Sequence, residues 1–528
     1  MAFSLSLLTV TPTSKTLGPL VLLGIILIAG VRRSYKYAYK GKLPPGPPGL
    51  PVVGNLLQIP KDRAWLVFTE WRKKYGDIFY LNLAGQNVVV LGNYKVAADL
   101  LDRRASQYSD RPRNIVAGEL LTGGLVFAFA QHNDVWKRMR RGSHEALNNQ
   151  VARNYFGFQE TESVLLVDQF LRDPSEWDNH LRRASTSLVL SIIYGLPPLL
   201  DSKDPDILRV NHFTARALHA AAPGAFLVEY FTWMEHLPRF MSPWRRYAEN
   251  WFRADSILFE KLFSRVKDRV DSGDETSSVA STLIHDQEKL NLSSHESAWV
   301  SATLYAAGAE TTSGQLAWFI MAMILYPETQ KKAQEEIDRV VGRDRLPVFR
   351  DHGNLPYVRA LVKETMRWRG VAPLGVPRRL AQDDYYEGHF LPKDTICIVN
   401  VWHLNHDPEV YGPNADEFVP ERHLDSEGRL QPAFPDTKDE SHHTYGFGRR
   451  ICVGRYVSNN SMFIEIASLL WSFNIGAGRN QEGNIVLPDP MDTIDDGLIV
   501  RPAPFPCSIT PRNSEVESVI AQTKELHS

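Results

Sequence analysis

The sequence predicts a mainly α-helical fold with small β-sheets, and three observations carry that prediction. His295 to Leu325 is a long, mostly apolar run without proline, and at ~1.5 Å per residue it makes a helix of roughly 45 Å. Leu165 to Leu199 and Asp206 to Ile284 are helical in pattern, with breaks at Pro197-Pro198 and Pro223-Gly224. Asp77 to Leu91 mixes β-branched and aromatic residues around a glycine turn and reads as a hairpin; Asp383 to Val401 and Asn484 to Ile509 read as further short strands.

The 528 residues carry 59 basic and 61 acidic side chains, a net charge of −2, which gives no basis for a nucleic-acid partner. Three cysteines, Cys397, Cys452 and Cys507, are too few and odd in number for a disulfide framework, so a reducing compartment is expected.

From the amino terminus, Leu17 to Val31 is an uncharged run rich in Leu, Ile and Val. Arg32, Arg33, Lys36, Lys40 and Lys42 follow it, against Lys15 alone before it. That charge order predicts an uncleaved, single-pass anchor, residues 1–42, with the rest of the chain in the cytosol. In a eukaryotic chain this places the protein on the endoplasmic reticulum membrane. Leu43 to Pro51 is Pro/Gly-rich and reads as a stiff hinge, residues 43–54, because proline forbids continued helix. Tyr94 to Arg104 looks helical and Asp110 to Gly124 reads as loop. On a helix over His132 to Leu147, Trp136 and Arg140 are four apart and share a face.

Inside the long central helix lies Ala306-Ala307-Gly308-Ala309-Glu310-Thr311-Thr312. A Glu-Thr pair in an apolar helix needs a reason, because buried polar groups cost free energy unless satisfied. Gly308 removes bulk beside a flat ligand, and Thr311 can bond back to the Ala307 carbonyl, loosening the helix. An acid and an alcohol with ordered water can relay protons. Tyr357 to Arg369 reads as another helix, with Glu364 and Arg367 on one face.

Tyr445-Gly446-Phe447-Gly448-Arg449-Arg450-Ile451-Cys452-Val453-Gly454 holds one cysteine between turn-forming glycines, ahead of a helical run. Helix-start N–H groups and the two arginines favour a thiolate. A single thiolate does not make a zinc or iron–sulfur site, but it suits a haem iron, whose porphyrin supplies four bonds.

This stretch resembles the haem-binding signature of the cytochrome P450 family, with Tyr445 where the family usually has Phe. The resemblance extends from the anchor to about Arg512. It implies one haem-thiolate catalytic domain, residues 55–512; the tail after it, 513–528, is polar and reads as disordered. It implies haem b with Cys452 as axial thiolate, and Arg450, Trp136, Arg140 and Arg378 as residues holding the haem carboxylates, with Arg379 as the neighbouring alternative to Arg378. Glu310 and Thr311 match the family's acid and alcohol. Glu364, Arg367 and Arg422 match its structural lock, where His423 replaces the usual Phe. Ile115 to Phe129 and Leu374 to Val376 fall where the family lines its pocket. The implied activity is monooxygenation of a lipophilic small molecule by O₂. The chain shows no flavin or nicotinamide fingerprint, so an NADPH-cytochrome P450 reductase is the expected partner. The style resembles fungal enzymes of secondary metabolism acting on terpenoids or polycyclic aromatics. Two alternatives stay open: a peroxide-rearranging enzyme of the same fold, and a non-catalytic haem-binding membrane protein.

Overall fold

A computed structural model describes Gly24 and residues 42–527, apart from 201–204, 223, 275 and 481. The expected anchor lies outside the described residues, save Gly24 and Lys42, and no described helix is long and apolar enough to cross a membrane. The Pro/Gly segment lies along the sheet edge: the Pro45 carbonyl accepts from Tyr80 N at 2.8 Å and the Lys42 carbonyl from Phe390 N at 2.8 Å.

The principal helices are α1 (Ala64–Tyr75), α2 (Asp134–Leu147), α3 (Phe156–Arg172), α4 (Trp177–Tyr194), α5 (Pro205–Ala221), α6 (Pro243–Asp271), α7 (Ser294–Leu325), α8 (Pro327–Val340), α9 (Pro356–Trp368), α10 (Arg455–Ser472) and α11 (Val516–His527). The central prediction holds: α7 spans 32 residues. Its start is fixed by a capping box in which Ser293 and Glu296 satisfy each other's backbone N–H. It is buried along most of its length, as its nearly continuous apolar sequence requires.

The predicted hairpin is β1 (Ile78–Leu83) with β2 (Gln86–Leu91), turning at Ala84-Gly85. Strands β3 (Arg378–Arg379) and β6 (Ile396–Val399) complete a four-stranded sheet in the order β1-β2-β6-β3. Val88 pairs with Ile396 in parallel register, and Arg378 pairs with Cys397. Strands β4 (Asp384–Tyr386) and β5 (His389–Leu391) form a small hairpin. Near the C terminus, β7 (Phe473–Arg479) pairs with β8 (Ile485–Val486) and with the late strand β11 (Cys507–Pro511), while β9 (Thr493–Asp495) pairs with β10 (Val500–Pro502).

Two expectations fail here. Within the expected 110–124 loop, Ile115–Leu120 winds into a wide helical turn closed by Leu121 N on the Val116 carbonyl. The expected disordered tail instead contains α11, whose Val516 and Ile520 are buried in the main core cluster. Lys524 pairs with Asp168 of α3 at 2.7 Å, and Arg512 grips Asp338 of α8 at 2.8 Å. The tail is polar on average, but its few aliphatic residues fall on one helical face. Two buried aliphatic side chains contribute about 1.5–3 kcal/mol each. Truncation after Asn513 is therefore expected to lower the thermal unfolding midpoint while leaving the spectrum of the folded fraction unchanged.

A buried acid sits in α10. Glu465 is fully buried and neither carboxylate oxygen has a hydrogen-bond partner among the described residues. Burial, and behind it the neighbouring Glu162, pushes its carboxyl up to about 8. Glu162 is itself held by Arg183 at 2.6 Å. A carboxyl raised in the folded state gives stability that is whole below its unfolded value and lost as pH rises to about 8. Glu465→Leu is expected to stabilise the protein by about 1–3 kcal/mol, since it removes an unsatisfied buried group. The gain is larger at pH 8.5 than at pH 5, as urea unfolding at the two pH values will read.

Candidate active site

The cysteine loop is shaped by its glycines. Gly446 and Gly448 adopt φ of 77° and 52°, the left-handed region where a side chain is strained. A Cβ on Gly448 would also collide with the Leu101 carbonyl. Cys452 N donates to the Tyr445 carbonyl at 2.9 Å and closes the loop, and the Tyr445 hydroxyl donates to Asn459 Oδ1 at 2.7 Å. Asp102 accepts from Gly448 N and ties the loop to the segment after β2. Helix α10 then starts at Arg455.

Cys452 is exposed, yet burial pushes its thiol up, opposed by the Gly454 N–H and the charges of Arg140 and Arg455. Exposure and desolvation coincide where a side chain faces an internal cavity. The expectation that its surroundings favour the thiolate is corrected: desolvation outweighs the Gly454 N–H, Arg140 and Arg455, and a metal ion held there would be what favours the thiolate.

Across the interior, α7 is buried from Ser297 to Ile324 except at Ala306, Ala307, Gly308, Glu310 and Thr311. The helix thus opens at the predicted segment. Thr311 Oγ1 donates to the Ala307 carbonyl at 2.8 Å, as its spacing predicts. Val453 and Val457 beside the cysteine pack in one apolar cluster with Leu304 and Ala306 of α7, Ile115, Phe213 and Val228.

Two details of this helix differ from expectation. A Cβ on Gly308 would meet Val189 of α4 at 2.8 Å, so the glycine serves close helix packing. Glu310 and Thr311 are adjacent and hence about 100° apart around the helix. Glu310 pairs with Arg182 of α4 at 3.2 Å and Arg501 of β10 at 3.5 Å, and Arg501 also pairs with Asp178 at 2.5 Å. Gly314 leaves room for the Arg501 stem, since a Cβ there would meet Arg501 Cγ at 3.3 Å.

Four arginines surround the loop. Arg450 donates to the carbonyls of Ser109, Phe127 and Ala130 at 2.7–2.9 Å, and its guanidinium lies 4.1 Å from the Trp136 ring centre. Arg140 Nη2 donates to the Ile451 carbonyl at 2.6 Å, and Arg378 Nη2 to the Phe447 carbonyl at 2.5 Å. Arg111, which sequence reasoning missed, donates to the carbonyls of Ala128, Val376 and Pro377. None of the four is in an ion pair with a described acidic residue. Burial first and mutual repulsion second lower Arg450 to about 9, while Arg378, with Arg140 beside it, falls to about 10. Arg378 Nη1 is buried without a partner among the described residues. Arg379, the neighbouring alternative, is engaged with Asp110 at 2.6 Å and Asp394 at 3.2 Å. The Trp136 indole N–H is occupied by the Phe127 carbonyl at 3.0 Å.

The lock lies behind the loop. Glu364 accepts from Arg367 twice at 2.7 Å, from Arg422 Nε at 3.0 Å and from Val419 N at 2.8 Å. His423 Nε2 lies 3.0 Å from the same carboxylate. The residue that departs from the usual Phe has thus joined the lock. Thr444 Oγ1 donates to the Met366 carbonyl at 2.6 Å, linking α9 to the cysteine loop.

The sequence profile described as Cytochrome P450 matches residues 44–494. The chain belongs to the cytochrome P450 family. It is 51% identical to a cytochrome P450 monooxygenase of Armillaria gallica over 517 residues, covering 97% of this chain and 98% of the relative. It is 46% identical to cytochrome P450 monooxygenase 58 of Postia placenta, covering 96% of each chain. It is 38% identical to cytochrome P450 monooxygenase iboC of Amanita muscaria, covering 92% and 94%. It is thus an enzyme of the cytochrome P450 monooxygenase family, whose members bind haem iron through an axial cysteine thiolate. The residues present fit that group. Cys452 has an exposed thiol, and four guanidiniums without acidic partners among the described residues, one with an orphaned donor, match an anionic, carboxylate-bearing ligand.

Proposed function

We propose that this cytochrome P450 oxidises a lipophilic small molecule with O₂ and electrons from an NADPH-dependent reductase, in fungal secondary metabolism. The carrying observation is the exposed thiol of Cys452 beside an excess of buried arginines, with Val453 next to it in the same apolar cluster as Leu304 and Ala306 at the opening of α7. Cys452 holds the iron. Arg450, Arg140 and Arg378 neutralise the haem carboxylates, with Arg111 beside them, and Trp136 acts through its ring, on which Arg450 rests. Haem held there by Cys452 would supply oxygen activation.

The protein's own part is to hold protons and exclude water. Thr311 presents a hydroxyl at the helix opening. Glu310 stands on the flank, between that opening and the half-exposed Asp178 and Arg182, and passes protons inward from there. The apolar lining selects lipophilic substrates; a terpenoid or polycyclic aromatic is our reading of their class. Leu17 to Val31 anchors the chain in the endoplasmic reticulum membrane with this domain in the cytosol. Exposed Leu227, Phe231, Trp233 and Phe240 support a membrane-facing side.

Co-expression with a reductase, feeding of terpenoids and aromatics, and mass spectrometry test this reading. Products gaining one oxygen, formed with NADPH consumption, are expected. Haem-loaded protein that consumes no NADPH with any member of the panel would overturn it.

A further inference from the structure

We propose that a small cavity between α1, α7 and the segment leaving α9 is a site for one chloride ion, held by the Arg369 guanidinium and the Trp65 indole N–H. It is separate from the cysteine loop: neither Cys452 nor any of the four arginines around that loop lines it.

Arg369 is another buried guanidinium without an acidic partner among the described residues. Its Nη1 donates to the Trp368 carbonyl at 2.9 Å and lies 3.1 Å from His406 Nε2. His406 Nδ1 lies 2.7 Å from the Trp402 carbonyl, to which it must donate, so Nε2 is the bare acceptor of a neutral ring. Burial, with Arg367 and Arg369 behind it, holds that imidazole well below its usual value. The indole rings of Trp368 and Trp402 flank the guanidinium at 4.3 and 4.6 Å, which offsets part of the cost of burying the charge. Tyr326, Asp416 and Asp489 act on it only from beyond ion-pair distance, and burial lowers Arg369 to about 10. Nothing in contact with it carries a negative charge, whereas buried charges are ordinarily paired.

Arg63, Trp65, Trp318, Trp402 and Met491 line the cavity with Arg369, and its volume is about 10 Å³. That is room for a single small ion or water. Two side chains of the wall carry buried polar atoms without a partner among the described residues, Trp65 Nε1 and Arg369 Nε, and both are N–H donors. A water would accept from both but would bring two hydrogens of its own, and it has no charge to set against the guanidinium. An anion accepts from both and neutralises it. Arg63 adds a second positive charge from the exposed side, where its Nη1 donates to the Met491 carbonyl at 3.2 Å. The size of the cavity and its indole walls select a monatomic anion over a carboxylate or phosphate. Seated there, chloride ties the start of α1 to the chain leaving α9 and to the loop before β9.

Thermal unfolding of the haem-loaded full chain, with sodium chloride exchanged for sodium gluconate at fixed ionic strength, tests this. The midpoint is expected to rise with chloride and level off as one site fills; at about nine times the Kd the unfolding equilibrium has shifted about tenfold. Trp65→Phe keeps a ring and loses the donor, so the apparent Kd should weaken about tenfold. Arg369→Met should abolish the response. Crystals of the parent grown in bromide are expected to show an anomalous peak beside Arg369 Nε. A midpoint indifferent to chloride would overturn the proposal, as would one that climbs without levelling and does so equally in Trp65→Phe, or bromide absent from this cavity. Should Arg369→Met fail to fold, Trp65→Phe and the bromide crystals decide the question.

Discussion

Glu364→Ala is expected to yield protein that neither folds stably nor retains haem. Glu364 and Arg367 are both fully buried, and Arg422 is nearly so. Arg367 also donates to the carbonyls of Asn405, Ala415 and Glu417, so it fixes the chain leading into the cysteine loop. Removing the acid strands two buried guanidiniums, at a cost of about 3–5 kcal/mol for each broken pair. Whole domains are stable by only about 5–15 kcal/mol. Burial alone would raise the Glu364 carboxyl, but Arg367 and His423 outweigh it and hold the carboxyl well below the usual range. A carboxyl depressed in the folded state stabilises it above the unfolded value, and that contribution drains away only as pH falls toward the folded one. Circular dichroism, thermal midpoints and haem-to-protein ratios will read the loss. His423→Phe is the informative contrast. It removes one of several partners of Glu364 and leaves both arginines in place, so a change under about 1 kcal/mol is expected. A His423→Phe protein as damaged as Glu364→Ala would mean that the histidine, not the arginines, carries the lock.

Cys452→Ser is the second large effect. The loop closes through main-chain atoms, Cys452 N on the Tyr445 carbonyl, so the fold does not need the sulfur. The hydroxyl that replaces it is not ionised at neutral pH and donates little electron density to a metal. Reduced, carbon monoxide-treated protein is therefore expected to lack the red-shifted Soret band, and NADPH-coupled product should fall to background, while far-ultraviolet circular dichroism keeps the parent's shape. A variant that kept both the band and the turnover would remove Cys452 from the iron.

Much of this was legible because it is local. The extent of α7 follows from a run of apolar residues without proline. The Thr311 back-bond, the pairing of Glu364 with Arg367 and the Trp136–Arg140 face are all set by helical spacing. The cysteine loop declares itself through glycines that only a tight turn requires. What escaped was set by distant partners. Arg111 sits in an irregular stretch with no periodicity to mark it, and only the fold brings it beside Arg450 and Arg378. The ion pairs of Glu310 join α4, α7 and β10, about 128 and 191 residues apart in the chain. The turn at Ile115–Leu120 exists because Glu229 caps it from another segment. Helix α11 is hidden in the sequence because its average polarity masks one apolar face.

The parallel pairing of β2 with β6 has a consequence for how the protein is made. Val88 waits for Ile396, roughly three hundred residues downstream, before the sheet that carries Arg378 can zip. Such long-range contacts form slowly, and a ribosome delivers the chain at about 5–20 residues per second. Trp136 and Arg140 emerge early, whereas Arg378 and Cys452 come from its final third. A complete haem site would therefore have to wait until the last third of the chain has emerged.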